Sequence, residues 1–328
     1  VRVLLADRFP DHHTDRLRQL GHAVTRLPDV SADNLPGALQ DHQIVVVRST
    51  RVSSATIDAG ASLRLIVRAG SGTDTIDVDA AARRDIAVCN VPGRNALAVA
   101  ELAVGLLLAI DRRIPEQVGD LRAGRWQKGT YQAADGIAGR AVGIVGLGDI
   151  GLAVAQRLAA FETRLHAVAS TDRDPERQRR AEQLGMTFVP DISALAGSCD
   201  VLTFHVPLSE RTRGLIGEPL VSQVPVGAIL INTSRGDLVD PATLLPALDE
   251  RNLRVGLDVH PDEPSASSGV IDTALARHPH VYGTHHVGAS TSQAQDAVAD
   301  GVVEVIAAFD AGKLRNCINR DRLTDVAR

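Results

Sequence analysis

Val142-Gly143-Ile144-Val145-Gly146-Leu147-Gly148-Asp149-Ile150-Gly151 is the stretch that decides the fold. An apolar run, Val142 to Val145, meets a tight glycine turn. A helical pattern follows, with Leu152, Ala155, Leu158 and Ala159 on its apolar face. Strand, G-x-G-x-x-G and helix stand in the order that a dinucleotide site requires. Gly146 permits the turn, Gly148 lets backbone approach a pyrophosphate, and Gly151 lets helix and strand pack closely. The helix N-terminus adds free N–H groups and a partial positive charge for the phosphates. Glycines also serve plain βα turns, and S-adenosylmethionine sites use similar ones, so the flanking sequence has to decide.

Upstream, residues 1 to about 97 alternate strand and helix patterns. Strands are predicted at Val3–Ala6, Ala23–Arg26, Ile44–Val47, Leu65–Val67 and Ile86–Val88, with helices at Asp15–Leu20, Leu35–Gln40 and Val78–Arg83. Repeated βα units imply a parallel sheet covered on both faces. Two predicted strand ends carry Arg48-Ser49-Thr50 and Arg68-Ala69-Gly70-Ser71-Gly72. Ligands bind outside the carboxyl ends of parallel strands, and arginines among small residues suit an anion. From Asn95 to about Arg122 the pattern is one helix. Ala98, Leu102, Leu106 and Ile110 form one face, and Val104, Leu107 and Leu108 widen it. A helix this apolar is buried on more than one side, against the sheet, a second domain or a partner subunit.

Downstream, strands are predicted at Arg164–Val168, Val201–His205, Ala228–Asn232, Val255–Leu257 and Val281–Thr284. Helices are predicted at Pro175–Leu184, Ile192–Ala196, Pro241–Leu248 and Ser292–Ala311, and Ser265 to Gly269 reads as a surface loop. Polar groups follow three successive late strands: Arg235 after one, Asp258 and Glu263 after the next, His285 and His286 after the third. A cation for a carboxylate, an imidazole for proton transfer and an acid to orient it are what hydride transfer to a 2-oxo acid requires. Metal binding by His278, His280, His285, His286, Asp258 and Glu263 is the competing reading. The His278-Pro279-His280 spacing is not a zinc pattern and no H-x-x-x-H helix supports it, so no metal is expected.

The chain of 328 residues suggests about two domains. Its mean hydropathy of +0.01 allows a large core. A net charge of −5, with no basic run or aromatic series, argues against nucleic acid or an anionic membrane as partner. Cys89, Cys199 and Cys317 are scattered without a CxxC, which fits reduced cytoplasmic thiols rather than a disulfide framework. Val1 to Leu5 reads as a first strand rather than a signal peptide. The apolar run Leu102 to Ile110 is too short to span a bilayer.

The glycine turn, NTSRGDLVD from Asn232 to Asp240, GLDVHPDEP from Gly256 to Pro264 and HVGAST from His286 to Thr291 together resemble the signatures of the D-isomer-specific 2-hydroxyacid dehydrogenases. RAGSG from Arg68, NVPGRN from Asn90, Ala100-Glu101 and GRW from Gly124 resemble the branch that acts on a phosphorylated substrate. The resemblance covers nearly the whole chain. It implies an α/β architecture of two doubly wound parallel-sheet domains. A Rossmann cofactor domain, 98–289, is inserted into a flavodoxin-like substrate domain, 1–97 and 290–328, with the active site in a hinged cleft. It further implies that the regulatory domain of longer family members is missing, and that two copies form a homodimer that buries the long apolar helix.

By the same resemblance His286 is the acid/base, Glu263 its partner, and Arg235 holds the substrate carboxylate and carbonyl. The cofactor lies on Gly146, Gly148, Asp149, Ile150, Gly151, Ala169, Ser170, Thr171, His205, Val206, Pro207, Thr233, Ser234, Asp258 and Gly288. Arg48, Arg68, Ser71 and Gly72 approach the substrate. A dinucleotide sensor that binds without turnover is the alternative, because corepressors resembling the family keep a similar site. Two positions depart from the family pattern. Asp149 stands where Arg or Lys is common, and its charge repels a phosphate. Ala169 stands where an acid usually holds the ribose 2′-hydroxyl. The family favours NAD. The local residues, Ser170, Thr171 and Arg173 against Asp172, lean to NADP.

Overall fold

The computed structural model describes residues 1–261, 263–264 and 268–324. Ser265, Ala266 and Ser267 of the expected surface loop lie outside them. The chain divides into two compact units, Val1–Asn95 with the segment from Ser290 on, and Ala96–Ala289.

The first unit holds β1 (Arg2–Leu5), β2 (Ala23–Arg26), β3 (Ile44–Val47), β4 (Leu65–Arg68) and β5 (Ala87–Asn90). All pairs are parallel, in the order β2-β1-β3-β4-β5, which is the flavodoxin-like order. β3 is apolar without a break because both of its faces are covered. Ile44 and Val46 meet Val298, Val302 and Ile306 of the helix Ser292–Asp310. Val45 and Val47 point the other way, among Leu35, Leu39, Ile57 and Ala80.

The second unit holds β6 (Ala141–Val145), β7 (Arg164–Val168), β8 (Thr187–Val189), β9 (Val201–Phe204), β10 (Ile229–Asn232), β11 (Arg254–Leu257) and β12 (Val281–Gly283). These seven parallel strands run β12-β11-β10-β9-β6-β7-β8. The chain starts in mid-sheet, winds out to β8, returns beside β6 as β9 and winds out the other way. This is the doubly wound dinucleotide-binding order, and its reversal lies between β6 and β9.

Several features differ from the sequence reading, among them the short helices Ser54–Ala59, Leu220–Gln223 and Ala274–Arg277, which it does not contain. β8 went unread. The expected helix from Asn95 to Arg122 is two helices, Ala96–Arg112 and Ile114–Arg122, broken at Arg113, whose φ is +51°. Pro115 has no N–H to donate, and its ring would strike the carbonyl four residues back in a continuous helix. One face of the first helix is covered within its own unit. Ala103, Leu106, Leu107 and Ile110 pack with Val142, Ile144 and Leu158 in its own unit. The second helix buries none of its residues. No helix among the described residues is long and apolar enough to cross a membrane.

Candidate active site

Parallel topology puts the loops after β6, β7, β9, β10, β11 and β12 at one edge of the seven-stranded sheet. The glycine turn after β6 is built by close backbone approach. Gly146 has φ +100°, and a Cβ there would lie 2.6 Å from the His205 carbonyl oxygen on the loop after β9. A Cβ on Gly151 would lie 1.9 Å from the Gly146 carbonyl oxygen. Gly148 has nothing within 4 Å of its Cβ position among the described residues. It is also the N-cap of the helix Asp149–Ala159 and offers that helix no side-chain cap. Two glycines are thus required by the fold, and the third leaves space before a helix N-terminus. That arrangement fits a dinucleotide pyrophosphate.

Asp149 does not point its charge into that space unopposed. Its Oδ1 accepts from Arg177 at 3.0 Å, and both side chains are about two-fifths exposed. After β7, Ala169 is exposed, as are Ser170, Thr171 and Asp172, and the Thr171 hydroxyl donates to Asp172 at 3.4 Å. Arg173 is already engaged. Its guanidinium donates to the Val168 carbonyl at 2.6 Å and to Gln178, and it lies 4.9 Å from the centre of the Phe188 ring. Burial lowers its pKa. The structure therefore turns Arg173 onto β7 and β8, whereas Arg177 reaches Asp149 beside the glycine turn.

After β9, His205 Nε2 meets the Thr203 hydroxyl at 2.8 Å, and Nδ1 is enclosed without a partner among the described residues. Burial pushes this imidazole down to about 3, so it is neutral near pH 7. Val206 is half-buried and Pro207 is exposed. After β10 the turn is organised by Asn232, a residue to which the sequence reading assigned no task. Fully buried, it accepts the Ser234 N–H at 3.0 Å and donates its amide to the Arg235 carbonyl at 2.8 Å. The Ser234 hydroxyl donates to the Phe204 carbonyl at 2.5 Å. The Thr233 hydroxyl is enclosed and unpartnered among the described residues. Arg235 donates to the Ser234 carbonyl at 2.7 Å. A Cβ on Gly236 would lie 2.0 Å from the His260 carbonyl oxygen. The Arg235 turn is therefore pressed against the loop that carries Glu263.

Asp258, 1% exposed, ties that loop to the one after β12. Its Oδ1 accepts the Thr284 hydroxyl at 2.7 Å and the Val287 N–H at 2.8 Å, and its Oδ2 accepts the Gly288 N–H at 2.9 Å. Its carbonyl accepts the His286 N–H at 2.7 Å. His286 between them has φ +51°, a left-handed conformation rare outside glycine. Its Nδ1 lies 2.7 Å from Glu263 Oε1, with the two side chains 51% and 38% exposed. Burial pushes the Glu263 carboxyl up, but the His286 hydrogen bond and the charges of His286 and His260 outweigh it, so the net shift is downward. Glu263 is thus a carboxylate near neutral pH, Nδ1 is a donor to it, and Nε2 is the other proton site.

Among the described residues, His278 and His280 cluster with Asp249 rather than with Asp258, Glu263 and His286.

Residues expected to meet a substrate lie in the first unit, at the carboxyl edge of its sheet. The backbone N–H groups of Arg48, Ser49 and Thr50 all donate to Asp7 Oδ2, at 2.6, 3.2 and 3.3 Å, and the Arg48 guanidinium donates to the Ser290 hydroxyl at 3.0 Å. Arg68 donates to the Ala69 carbonyl at 2.7 Å and folds across Gly70, where a Cβ would lie 1.7 Å from the guanidinium. The Ser71 carbonyl accepts the Asn90 amide at 2.6 Å. Gly72 is half-buried.

Residues 104–288 match the family model described as the NAD binding domain of D-isomer specific 2-hydroxyacid dehydrogenases. A D-3-phosphoglycerate dehydrogenase of Archaeoglobus fulgidus is 35% identical over 323 residues, 97% of this chain and 59% of its own length. This chain thus spans about three-fifths of that relative, which is 59% covered. A hydroxypyruvate reductase of Thermotoga maritima is 36% identical over 307 residues, 93% of this chain and 97% of its own. Among solved structures, an NADPH-dependent glyoxylate/hydroxypyruvate reductase from Sinorhizobium meliloti, in complex with NADP and malonate, has a TM-score of 0.83 at 30% identity. It covers 99% of this chain and is itself 98% covered.

The two kinds of glycine separate fold from ligand. Ala ordinarily stabilises a helix by about 0.8–1 kcal/mol over Gly. Gly151→Ala should instead lower the melting temperature, because its methyl meets backbone. Gly148→Ala should melt normally yet weaken NADH or NADPH binding by at least about tenfold, or about 1.4 kcal/mol. Thermal melts and dinucleotide titrations check both. Unchanged affinity in Gly148→Ala would argue against a phosphate at this turn.

Proposed function

The chain belongs to the D-isomer-specific 2-hydroxyacid dehydrogenases, and we propose that it interconverts a D-2-hydroxy acid and its 2-oxo acid, with a nicotinamide dinucleotide as cofactor and an anionic substrate like that of phosphoglycerate dehydrogenase. The observation that carries this reading is the His286–Glu263 pair, beside the Arg235 turn, on the sheet edge that also holds the glycine turn. The Ala96–Ala289 unit is assigned to the cofactor and the other unit to the substrate.

A bound nicotinamide would donate hydride in one direction and accept it in the other. In reduction, negative charge grows on the substrate oxygen. His286 Nε2 gives that oxygen its proton, and Arg235 stabilises the charge. Glu263 fixes Nδ1 as the donor and so dedicates Nε2 to the substrate. In oxidation Nε2 takes the hydroxyl proton back. Arg48, Arg68, Ser71 and Gly72 are assigned to the substrate's anionic groups.

For the cofactor we favour NADP. Ala169 leaves the ribose 2′-hydroxyl without an acid and removes the repulsion that an acid imposes on a 2′-phosphate. Arg177, rather than Arg173, is the cation assigned to that phosphate. Its exposed bond to Asp149 is of the kind worth only about 0–1 kcal/mol, so a phosphate can displace it.

For the partner we propose a second copy of the chain. Ile114, Val118 and Leu121 are 45%, 37% and 59% exposed along one face of a helix, and Trp126 nearby is 78% exposed. Leu121→Asp should shift sedimentation from dimer towards monomer, and a wild-type monomer would refute the assignment.

Oxidation of NADH and NADPH against phosphorylated and plain 2-oxo acids tests the activity. His286→Ala should lower kcat by roughly 10²–10⁴-fold with dinucleotide affinity nearly unchanged. Arg68→Ala should raise KM more for a phosphorylated 2-oxo acid than for pyruvate. Near-normal turnover without His286 would remove its assigned role. Dinucleotide binding without turnover of any 2-oxo acid would support the sensor instead.

Cofactor choice is tested separately. Ala169→Asp should move the NAD/NADP ratio of kcat/KM towards NAD by at least about tenfold, or about 1.4 kcal/mol, and Arg177→Ala should weaken NADP selectively. A parent enzyme that prefers NAD, and loses the preference in Asp172→Ala, would make Asp172 the ribose ligand.

A further inference from the structure

Two cysteines far apart in sequence meet at the edge of the first unit. β5 is the outermost strand of its sheet, and the chain around Cys317 lies along its outer side as an antiparallel bridge, Cys89 opposite Cys317. The Asn90 N–H donates to the Asn316 carbonyl at 3.1 Å, and the Ile318 N–H donates to the Val88 carbonyl at 2.8 Å. Bonds on either side make Cys89 and Cys317 a non-hydrogen-bonded pair. In such pairs the Cα atoms are about 4.5 Å apart with side chains close together, within the roughly 4.4–6.8 Å that a disulfide spans. Asn319 fastens the register, accepting the Val88 N–H and donating to the Ile86 carbonyl, each at 2.9 Å. Farther along, Arg322 pairs with Asp79 at 2.6 Å and the Thr324 N–H donates to Asp85 at 2.7 Å. All three cysteines are free thiols here.

We propose that Cys89 and Cys317 are a redox modification site, closing reversibly into a cross-strand disulfide that fastens the 314–319 segment to the sheet edge. A hydroperoxide is the oxidant class. Cys317 is half-buried and Cys89 is 1% exposed, so the oxidant meets Cys317 first. The Cys89 thiol, donating to Cys317, outweighs burial and brings Cys317 down to about 7, while the same contact and burial push Cys89 up. Cys317 is therefore the better thiolate. It attacks a peroxide oxygen, so an S–O bond forms, the O–O bond breaks and hydroxide or alkoxide leaves. Cys89 then attacks the sulfenic sulfur. The S–S bond forms, the S–O bond breaks, and the oxygen leaves as water with the Cys89 proton. The two thiols lose two electrons and the peroxide gains them. A small thiol reverses the step by exchange.

The link lies next to a loop assigned to substrate. Asn90 holds the Ser71 carbonyl through its amide at 2.6 Å, the Val91 N–H donates to the Gly70 carbonyl at 3.0 Å, and the Asn316 amide donates to the Asn90 carbonyl at 3.3 Å. Closing the disulfide stiffens the backbone that carries this loop.

The test treats the full chain with hydrogen peroxide. The expected product is lighter by two hydrogen atoms, and digestion joins the peptide holding Cys89 to the one holding Cys317. Cys199 stays a free thiol, and dithiothreitol restores the parent mass. Amide exchange at 88–90 and 316–318 should slow by at least about tenfold, as local opening is suppressed. Cys317→Ser should abolish the cross-link and the slowing while leaving the chain folded. Oxidation of Cys317 to the sulfinic acid with no joined peptide would overturn the proposal. So would a cross-link that uses Cys199 or a second copy, or a joined peptide with unchanged exchange.

Discussion

A buried carboxylate holds the candidate site in shape. Asp258 is withdrawn from water, which is costly for a charge unless hydrogen bonds replace the lost solvation. Thr284, Val287 and Gly288 supply those bonds, and the Asp258 carbonyl takes the His286 N–H. These contacts set the path of the chain on either side of His286 and maintain its left-handed backbone, a conformation that surrounding structure has to enforce. The imidazole is then aimed by Glu263, whose loop is pressed against the Arg235 turn at Gly236. Three strand ends thus behave as one assembly, and Asp258 positions His286, the acid/base we propose, through backbone and hydroxyl contacts alone.

The same logic of close backbone approach builds the candidate cofactor edge. Gly146 and Gly151 are required by contacts between β6, β9 and the helix between them, whereas Gly148 has open space around it. The acid at position 149, unfavourable for a phosphate, is offset by Arg177 from the next helix. An exposed pair of this kind is weak and screened by salt. The local charge can therefore be redistributed when an anion arrives, without unfolding anything.

Much of the fold was legible because parallel strands buried on both faces read as unbroken apolar runs. Ile44–Val47 and Val201–Phe204 were read within a residue of their observed ends. β8 was not legible, because it is a three-residue strand at the outer end of the sheet with no residue fully buried. The break at Arg113 was signalled by Pro115 but masked by the apolar pattern around it. At the site, Arg235, Glu263 and His286 were legible as residue types at successive strand ends. The positioning work of Asp258 and Asn232 was not, because it depends on which backbone N–H groups the folded loops present. Asn232 did carry a signal, since Asn before a turn commonly bonds backbone two residues on. Nothing local could have paired Cys89 with Cys317, which only the packing of the final segment on β5 brings together.

The central claim is that His286, held by Asp258 and Glu263, exchanges the proton with the substrate oxygen while Arg235 carries its charge. The most direct measurement is a crystal structure of the enzyme with a nicotinamide dinucleotide and oxamate, an unreactive 2-oxo acid analogue. The expected result places His286 Nε2 within about 3.2 Å of the oxamate carbonyl oxygen, hydrogen-bond reach for an acid/base, with the Arg235 guanidinium on the same ligand and the dinucleotide phosphates at Gly148. An oxamate carbonyl bound by other groups, with Nε2 facing solvent, would contradict it.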